Sequence, residues 1–520
     1  MSFFFAIPES LLTELLSNWL PATAACRVDS ACCNRQSRTV LLRALGQTYF
    51  LQSGRSINEN MFRWMLLREV RWNEVVYGSL QAKPFGDNAL ELLLATTCQS
   101  VTAFVFRKDK RDSSPRFEPT QRSMRLVAKY CPELRTFTFS NTRLSPCVSE
   151  VISACVALQE INFHGVSSLP ADIFQVCFSA PAIKSVILKN CDFPNTIKPV
   201  GTCLTIQSLS VMETGLTAAQ ALHLCEHCPN LTHLLIQEYQ GFVDLIKIAQ
   251  LCPLLQKCTI ADPCGIDVSR AEELCKASKA LTELTLYYIN IGSCNVCPED
   301  ALQVLVSKCP TLRYLQACES PLARINDRRR IIASPLTPSV GPQLCELVVG
   351  SLTAAAMETI LATCVHLHTL HVIYLRRSYS QYATAFIEDS LDLLHHSSVK
   401  KLILQDTADF SGEHLLKIAH LEELQLQCVS GDFASDDVIE AITQCPELHT
   451  LMLSFPPSDQ ITRSDIRRIL DAAPKLHTFV YADREESDSF PSMEALREMM
   501  STSYPHIKDS ELTSVKFDYT

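Results

Sequence analysis

Three groups of cysteine and histidine residues have the residue types that bind metal ions. They are Cys294 and Cys297; His223, Cys225, His227 and Cys228; and His366, His368 and His371. The Cys294-x-x-Cys297 pair has zinc-knuckle spacing, but no second Cys or His pair follows at the usual distance. Cys225 and Cys228 fall on buried positions of a repeat described below, and residues 368 and 371 differ in parity along a strand. The sequence therefore predicts no metal site. Elemental analysis for zinc would test the alternative.

Catalytic chemistry has no recognisable motif. The chain lacks a Gly-x-Ser-x-Gly elbow and a His-Glu-x-x-His pair. It has only 14 glycines, and none lies closer than eight residues to another, as in the pair Gly46 and Gly54. Glycine-rich loops that hold phosphates are thereby excluded. We expect no catalytic residues and no cofactor, and predict that the protein is not an enzyme.

Clusters of basic residues are the remaining chemical candidates. They follow predicted strands, in the longest insertions: residues 107–111 (Arg-Lys-Asp-Lys-Arg), Arg324, Arg328, Arg329, Arg330, Arg376 and Arg377. Guanidinium groups recognise carboxylates and phosphates through charge-assisted hydrogen bonds, which predicts an acidic or phosphorylated partner. The alternative is a set of solvated loops. Ser334 and Thr337 each precede a proline in the same insertion, so they are candidates for proline-directed phosphorylation or simply part of a flexible loop.

Composition limits the partners and the compartment. The 46 basic and 56 acidic side chains give a net charge of −10, which disfavours nucleic-acid binding. No apolar run approaches the ~18 residues that cross a bilayer, and the N-terminal stretch has no positive segment typical of a secretory signal. The 24 cysteines are expected to be reduced thiols. We therefore predict a cytoplasmic or nuclear protein that binds neither membranes nor nucleic acid.

A repeat organises most of the chain. Four segments, at Cys131, Cys228, Cys309 and Cys445, read Cys-Pro-x-Leu and open a Leu-x-x-Leu-x-Leu frame. Extending that frame gives fifteen copies with apolar first, fourth and sixth residues, and Trp72, Val75 and Tyr77 indicate a sixteenth. The fifteen first-place residues are Val101, Leu134, Leu158, Ile183, Ile206, Leu231, Leu255, Leu281, Leu312, Leu344, Leu367, Val399, Leu421, Leu448 and Leu476. Their spacing runs from 22 to 33 residues.

Each repeat predicts a strand, a turn and a helix. The fourth and sixth places have the period of a strand with one buried face, and Val148, Ile152 and Cys155 have helical spacing before the next frame. This pattern resembles the leucine-rich-repeat family, and Cys191 resembles its cysteine-containing subclass. The resemblance implies an α/β solenoid of about 15–16 repeats, with parallel strands on the concave side and helices on the convex side. Third- and fifth-place residues such as Tyr314 and His371 then face a protein partner.

The first residues resemble a different family. The segment 7–17 (Ile-Pro-Glu-Ser-Leu-Leu-Thr-Glu-Leu-Leu-Ser) predicts a helix with proline in its first turn, and Leu20-Pro21 ends it. Helical spacing continues around Val28 and again from Val40 to Leu45. The match to an F-box runs through Ile7, Pro8, Leu11, Leu12, Leu15, Leu16, Leu20, Pro21, Arg27, Val28 and Cys32, with Ala31 and Arg35 departing from the family pattern. An F-box implies docking on the Skp adaptor of a cullin ubiquitin ligase. The alternative is a plain helical cap for the solenoid.

The predicted organisation has four parts. They are an F-box-like helical module (1–45), a linker or N-terminal cap (46–71), the leucine-rich-repeat solenoid (72–482), and a C-terminal cap and tail (483–520). The predicted function is substrate recognition in a Skp–cullin–F-box ubiquitin ligase, with a protein target on the concave face. A ligase-independent interaction scaffold is the alternative.

Overall fold

We describe a computed structural model of the chain. It describes residues 27–29, 38–42, 44, 49–50, 71–72, 74–77, 87–97, 101–107, 119–144, 148–167, 169–170, 172–192, 201–237, 244–261, 266–288, 299–319, 343–349, 354–373, 393–405, 415, 418, 420–427, 436–455, 463–483, 493–504, 507 and 509–514. The chain divides into two compact units, Met1–Leu255 and Gln256–Thr520. The predicted domain boundaries do not include this division.

The first unit contains two parallel sheets. Strands β1 (Tyr49–Phe50) and β2 (Arg71–Trp72) pair with each other. The larger sheet runs in chain order through β3 (Glu74–Tyr77), β4 (Ala103–Arg107), β5 (Thr136–Ser140), β6 (Glu160–His164), β7 (Ser185–Lys189), β8 (Ser208–Met212) and β9 (His233–Gln237). Its helices are α1 (Asp87–Thr97), α2 (Gln121–Tyr130), α3 (Val148–Ala154), α4 (Ile173–Ser179), α5 (Ala218–Glu226) and α6 (Leu245–Leu251). Residues 27–29, 38–42 and 44 are also helical.

The second unit continues the same pattern of parallel strands. Its strands are β10 (Lys257–Ala261), β11 (Glu283–Tyr288), β12 (Tyr314–Glu319), β13 (Glu346–Val349), β14 (Thr369–Ile373), β15 (Lys401–Gln405), β16 (Glu423–Gln427), β17 (Thr450–Phe455), β18 (Thr478–Asp483) and β19 (Asp509–Ser514). Its helices are α7 (Val268–Ala277), α8 (Glu299–Lys308), α9 (Ala354–Thr363), α10 (Asp436–Thr443), α11 (Arg463–Ala472) and α12 (Met493–Ser503), with a 3-10 turn at Leu393–His396.

The buried positions of the sheet are those that the Leu-x-x-Leu-x-Leu frame predicted. All fifteen first-place residues are buried, with at most 3% of their surface exposed, and so are the described fourth- and sixth-place side chains. Strands β3 to β18 coincide with the sixteen predicted copies. One face of each unit's sheet therefore packs against its helices, while third- and fifth-place residues lie on the other face, which we call the open face. Each unit is an α/β leucine-rich-repeat stack.

The Cys-Pro turn explains how a helix leads into the next strand. The Cys309 N–H donates to Leu305 O (3.2 Å) and closes the last turn of α8. The proline that follows cannot continue the helix, and the Leu312 N–H donates back to Cys309 O (3.1 Å). The cysteine itself is buried as a small apolar group, as predicted from its place in the repeat. Helix starts are capped in the same local way, for example by Thr120, whose side chain accepts from the Ser123 N–H (2.9 Å).

Within each unit, most successive described repeats are also joined by a shared acceptor. The Arg135 carbonyl accepts from the N–H groups of Gln159 (2.8 Å) and Glu160 (2.9 Å). The same arrangement recurs from Thr102 to the start of β9, and again along the second unit. The carbonyl belongs to the earlier repeat and the two donors to the later one. This places each of these strands in register with its predecessor before the sheet ladder begins.

Phenylalanines fill the core beneath β4, β5 and β6. Phe106 stacks on Phe139 with ring centroids 5.7 Å apart, and Phe139 stacks on Phe163 at 5.5 Å. Phe137 lies against Phe139 at 4.5 Å. All four side chains are completely buried. The core beneath these three strands of the first unit is therefore aromatic.

Strand β19 lies beyond the predicted solenoid. It pairs with β18 through six residues, and α12 precedes it, so a helix–strand unit extends the sheet past residue 482. A C-terminal cap was expected within residues 483–520, and α12 lies there. The strand was not expected, because Ser510 takes the fourth place of its frame, where every other repeat has an apolar residue.

Candidate functional site

The open faces of the two units differ in chemistry. On the first unit, the third- and fifth-place residues of β5 to β8 are mostly small and polar: Thr136, Thr138, Glu160, Asn162, Ser185, Ile187, Ser208 and Ser210. Asn162 bridges two of them, because its Nδ2 donates to Glu160 Oε1 (2.8 Å) and Thr138 Oγ1 (3.3 Å). Because most of these side chains are short, they offer a partner little contact area. The second unit carries the larger groups.

An enclosed row crosses four strands of the second unit. Strand pairing aligns Thr285, Gln316, Val348 and His371 at the fifth place of β11 to β14. Thr285 is 7% exposed and Val348 only 3%, although both lie on the open face. Gln316 and His371 are half-buried. Together with Tyr314 at the third place of β12, we call these residues the Tyr314 patch.

Hydrogen bonding holds the aromatic member of the patch in place. The Tyr314 hydroxyl donates to Gln316 Oε1 at 2.6 Å, two residues along the same strand. Tyr314 is half-buried, so its ring and the Gln316 amide together form an amphipathic surface. Rigid aromatic groups with a polar end provide much of the binding energy in protein interfaces. The patch can thus offer apolar area and oriented hydrogen-bonding groups together.

Two ion pairs lie on either side of the patch. Lys257 Nζ and Glu283 Oε1 are 2.7 Å apart on β10 and β11, and Lys401 Nζ and Glu423 Oε2 are 2.7 Å apart on β15 and β16. Both pairs join directly opposed third-place residues. Glu346, between them, makes no ion pair with any residue that the structure describes. The third-place residues from β10 to β16 therefore have a net charge of −1, because Glu346 is not balanced by a described cation. This charge favours a partner with a cation near Glu346.

The predicted site residues fall into two groups. Tyr314 and His371 lie on the open face, two strands apart, which corresponds to roughly 10 Å. Val28 is helical and half-buried. The other predicted residues lie outside the described residues: Ile7, Pro8, Leu11, Leu12, Leu15, Leu16, Leu20, Arg328, Arg329, Arg330, Arg376 and Arg377. Of the basic cluster after β4, Arg107 is described, and it is exposed.

The histidine and cysteine groups do not converge on a metal site where they are described. Cys225 and Cys228 are completely buried, while the rings of His223 and His227 pack edge to face at 4.7 Å. His366 and His368 are exposed and His371 is on the open face. Within the described ranges, no three His, Cys, Asp or Glu side chains are placed to hold a metal ion. Cys294 and Cys297 lie outside those ranges.

Burial controls the chemistry of the described cysteines. It raises the pKa of Cys155, Cys191 and Cys445 to about 11 each, so their thiols stay protonated and unreactive at neutral pH. Cys191 Sγ contacts the Phe163 and Lys189 carbonyl oxygens at 3.3 and 3.2 Å, in the manner of a buried donor within its turn. Cys252 and Cys275 are exceptions, because hydrogen bonds with Cys225 and Cys309, respectively, lower the pKa of their thiols. Cys275 is considered below.

The burial of two side chains on this surface was not predicted. Fifth-place residues were expected to face a partner, but Thr285 and Val348 are buried on the open face. An apolar residue at the fifth place does not by itself indicate burial, because Ile403, Met452 and Val480 are only half-buried.

Among the described helices, none has the length and apolar character that crossing a bilayer requires.

Comparison with known proteins gives structural similarity only. No protein-family model and no curated protein matches the chain. Among solved structures, the TLR13–ssRNA13 complex shares 13% identity at a TM-score of 0.44, covering 90% of this chain and 61% of that one. The Drosophila Toll–Spatzle complex shares 13% identity at a TM-score of 0.41, covering 80% and 52%. The chain thus spans about half to three-fifths of their length, and the fold assignment rests on its own strand pairing and burial.

Proposed function

We propose that this chain is a protein-recognition module that binds its partner through the open face of the second unit, centred on the Tyr314 patch. The observation that carries the proposal is the partly exposed group of Tyr314, Gln316 and His371 on the open face, in which the tyrosine hydroxyl donates to Gln316. Leucine-rich-repeat sheets present rows of side chains in fixed register, which suits an extended protein surface. A small molecule would require a deeper, closed cavity.

More specifically, we propose that the chain is the substrate-recognition subunit of a Skp–cullin–F-box ubiquitin ligase. The support is the F-box-like sequence from Ile7 to Cys32, which precedes the repeats and the predicted linker. The leucines at 11, 12, 15 and 16 would contact the adaptor, while the repeats hold the target. The basic insertions around Arg328 and Arg376 would add contacts to acidic or phosphorylated groups of that target.

A second candidate is a ligase-independent scaffold in which the N-terminal helices only cap the repeats. It is favoured by the complete burial of Leu41 and Ala44, and by the ion pair between Arg38 Nε and the buried Asp29 Oδ1 (3.3 Å). These contacts show that part of the N-terminal segment is packed rather than displayed. A packed helix can still leave another face for an adaptor, so the two functions require a binding experiment.

The experiment compares three full-length proteins after confirming that each is folded by circular dichroism. They are the wild type, the Leu12→Asp/Leu16→Asp variant, and the Tyr314→Ala/His371→Ala variant. Each is immobilised and tested for retention of purified Skp adaptor and cullin, and partners from cells are identified by mass spectrometry. Thr138→Ala/Ser210→Ala, on the open face of the first unit, is the matched control.

The outcomes separate the candidates. The ligase proposal expects adaptor retention by the wild type and the Tyr314 variant, and loss in the Leu12/Leu16 variant. The recognition proposal expects a set of partners that only the Tyr314/His371 change removes. If no variant or wild-type protein retains the adaptor while the partner set persists, the scaffold is the function. Unchanged partners in the Tyr314/His371 variant would contradict recognition at this patch.

A further inference from the structure

Two cysteines from neighbouring repeats meet in the second unit. Cys275 lies in the last turn of α7, and Cys309 is the residue that ends α8. Their sulfur atoms are 2.6 Å apart, with the Cys309 thiol donating to the Cys275 sulfur. A disulfide bond has a sulfur–sulfur distance of about 2.05 Å, so the pair is roughly half an ångström from bonding distance. The backbones already hold the two side chains towards each other.

Cys275 combines partial exposure, which among the described cysteines only Cys345 shares, with a sulfur neighbour at 2.6 Å. Cys275 is half-buried, whereas twelve of the fourteen described cysteines are fully buried. The hydrogen bond from Cys309 and, to a lesser degree, the charge of Lys308 lower the pKa of Cys275, although burial and the Glu272 carboxylate oppose that effect. The same hydrogen bond and burial raise the pKa of Cys309. Cys275 is therefore the more nucleophilic sulfur and Cys309 the proton donor.

We propose that Cys275 and Cys309 form a reversible disulfide that makes the second unit sensitive to peroxide. The Cys275 thiolate attacks hydrogen peroxide, breaking the O–O bond to give a sulfenic acid and hydroxide. The Cys309 sulfur then attacks that sulfenic sulfur, forming the S–S bond and releasing water. In total, two thiols lose two electrons and two protons, and one peroxide becomes two waters. A dithiol reductant reverses the bond by thiol–disulfide exchange.

The consequence of the bond lies in the helical layer. Residues 275 and 309 are 34 apart in sequence, so the disulfide closes a loop that contains β11 and α8. It links the helices of successive repeats, which in the reduced protein are held by packing. The oxidised protein should therefore unfold at a higher temperature than the reduced protein. This inference does not depend on the proposed function.

The first test uses the unmodified full-length protein. It is treated with a slight excess of hydrogen peroxide, its free thiols are blocked by alkylation, and its non-reduced peptides are mapped by mass spectrometry. The expected result is a Cys275–Cys309 cross-linked peptide that disappears after dithiothreitol. Recovery of both cysteines alkylated, or their linkage to other cysteines instead, would overturn the proposal. This readout needs no variant to fold.

The second test follows the thermal midpoint with and without peroxide. We expect the midpoint of the wild type to rise on oxidation and return on reduction, and Cys275→Ser and Cys309→Ser to show no rise. Cys364→Ser is the matched control, because Cys364 ends α9 at the equivalent place and burial alone raises its pKa. It should behave like the wild type. A peroxide-dependent rise that persists in Cys275→Ser would assign the effect to other thiols.

Discussion

Asn141 and Gly165 occupy the same place in successive repeats, one residue beyond β5 and β6, and both have left-handed backbones with φ of 53° and 63°. The Asn141 N–H donates to the His164 carbonyl at 2.7 Å, and the Gly165 N–H donates to Lys189 O at 2.8 Å. In both repeats, the first residue after the strand thus donates its N–H to a carbonyl at the end of the next strand. A Cβ atom added to Gly165 would overlap Asn141 Oδ1.

Gly165→Ala is therefore expected to destabilise the protein more than Gly215→Ala. Both glycines have φ of 63°, so each substitution carries the left-handed strain of about 1–2 kcal/mol. Only Gly165 adds a steric clash, because the space around Gly215 is open. Urea denaturation of the two variants measures the difference. Adding Asn141→Gly should recover part of the loss at Gly165, and equal destabilisation by the two alanines would contradict the clash.

Phe137→Ala is expected to reduce the free energy of unfolding by about 3–5 kcal/mol. The ring is completely buried and packs 4.5 Å from the Phe139 ring, so its removal leaves a cavity in the aromatic core. Thr138→Ala, the next residue on the open face, should change stability by less than about 0.5 kcal/mol. Denaturation monitored by circular dichroism tests both. Similar values for the two would show that the core does not depend on the stack.

His420 is expected to make stability depend on pH. Burial, with a contribution from His395, lowers its pKa below the ordinary 6.5, while a hydrogen bond to the Val399 backbone opposes the shift. Between the lowered pKa and 6.5, the unfolded chain binds a proton that the folded chain does not. The free energy of unfolding that neutral, buried His420 contributes is therefore fully present above pH 6.5. It is lost as the pH falls from 6.5 through the lowered pKa of the folded protein.

Thermal midpoints of the wild type and His420→Asn, measured from pH 7.5 to pH 5, test this expectation. The midpoint of the wild type should fall more steeply towards acid than that of the variant. The difference between the two curves isolates His420 from other titrating groups. Parallel curves would mean that His420 has the same pKa in the folded and unfolded chain.

Tyr314→Ala should weaken partner binding at least about 10-fold, the loss typical of a central aromatic contact. Tyr314→Phe removes only the 2.6 Å hydrogen bond to Gln316 and should weaken binding less. Binding isotherms with a partner identified by the affinity experiment measure both. If the phenylalanine and alanine variants are equally weak, the oriented hydroxyl is the important group. If neither is weak, the patch is not the contact.

The repeat itself could be predicted from the sequence because buried positions dominate it. Each first-, fourth- and sixth-place residue reports the same environment, so Leu134, Phe137 and Phe139 are recognisable without knowing the fold. Strand β19 was missed for the same reason, since Ser510 breaks the apolar pattern while pairing with Phe479. Backbone pairing does not require an apolar side chain at that place.

The candidate site was predictable only in part. Tyr314 and His371 could be placed on the open face from parity, but the burial of Val348 depends on what neighbouring repeats place around it. The Cys275–Cys309 contact likewise joins residues 34 apart, on helices of different repeats, and the sequence around each cysteine indicates only a small apolar group. Because the repeats differ in length, one sequence does not predict which residues of neighbouring repeats come into contact. The F-box-like residues stay a prediction.

The shared carbonyl that joins successive repeats gives the molecule a direction of assembly. In the first unit, Thr102, Arg135, Gln159 and Lys184 each supply an acceptor for two N–H groups of the following repeat. An earlier repeat can be complete before the later one exists, but the later one lacks its acceptor until the earlier has formed. Synthesis on the ribosome proceeds in that same order. The nascent chain can therefore add strands to a growing edge as it emerges, beginning with the phenylalanine-rich repeats.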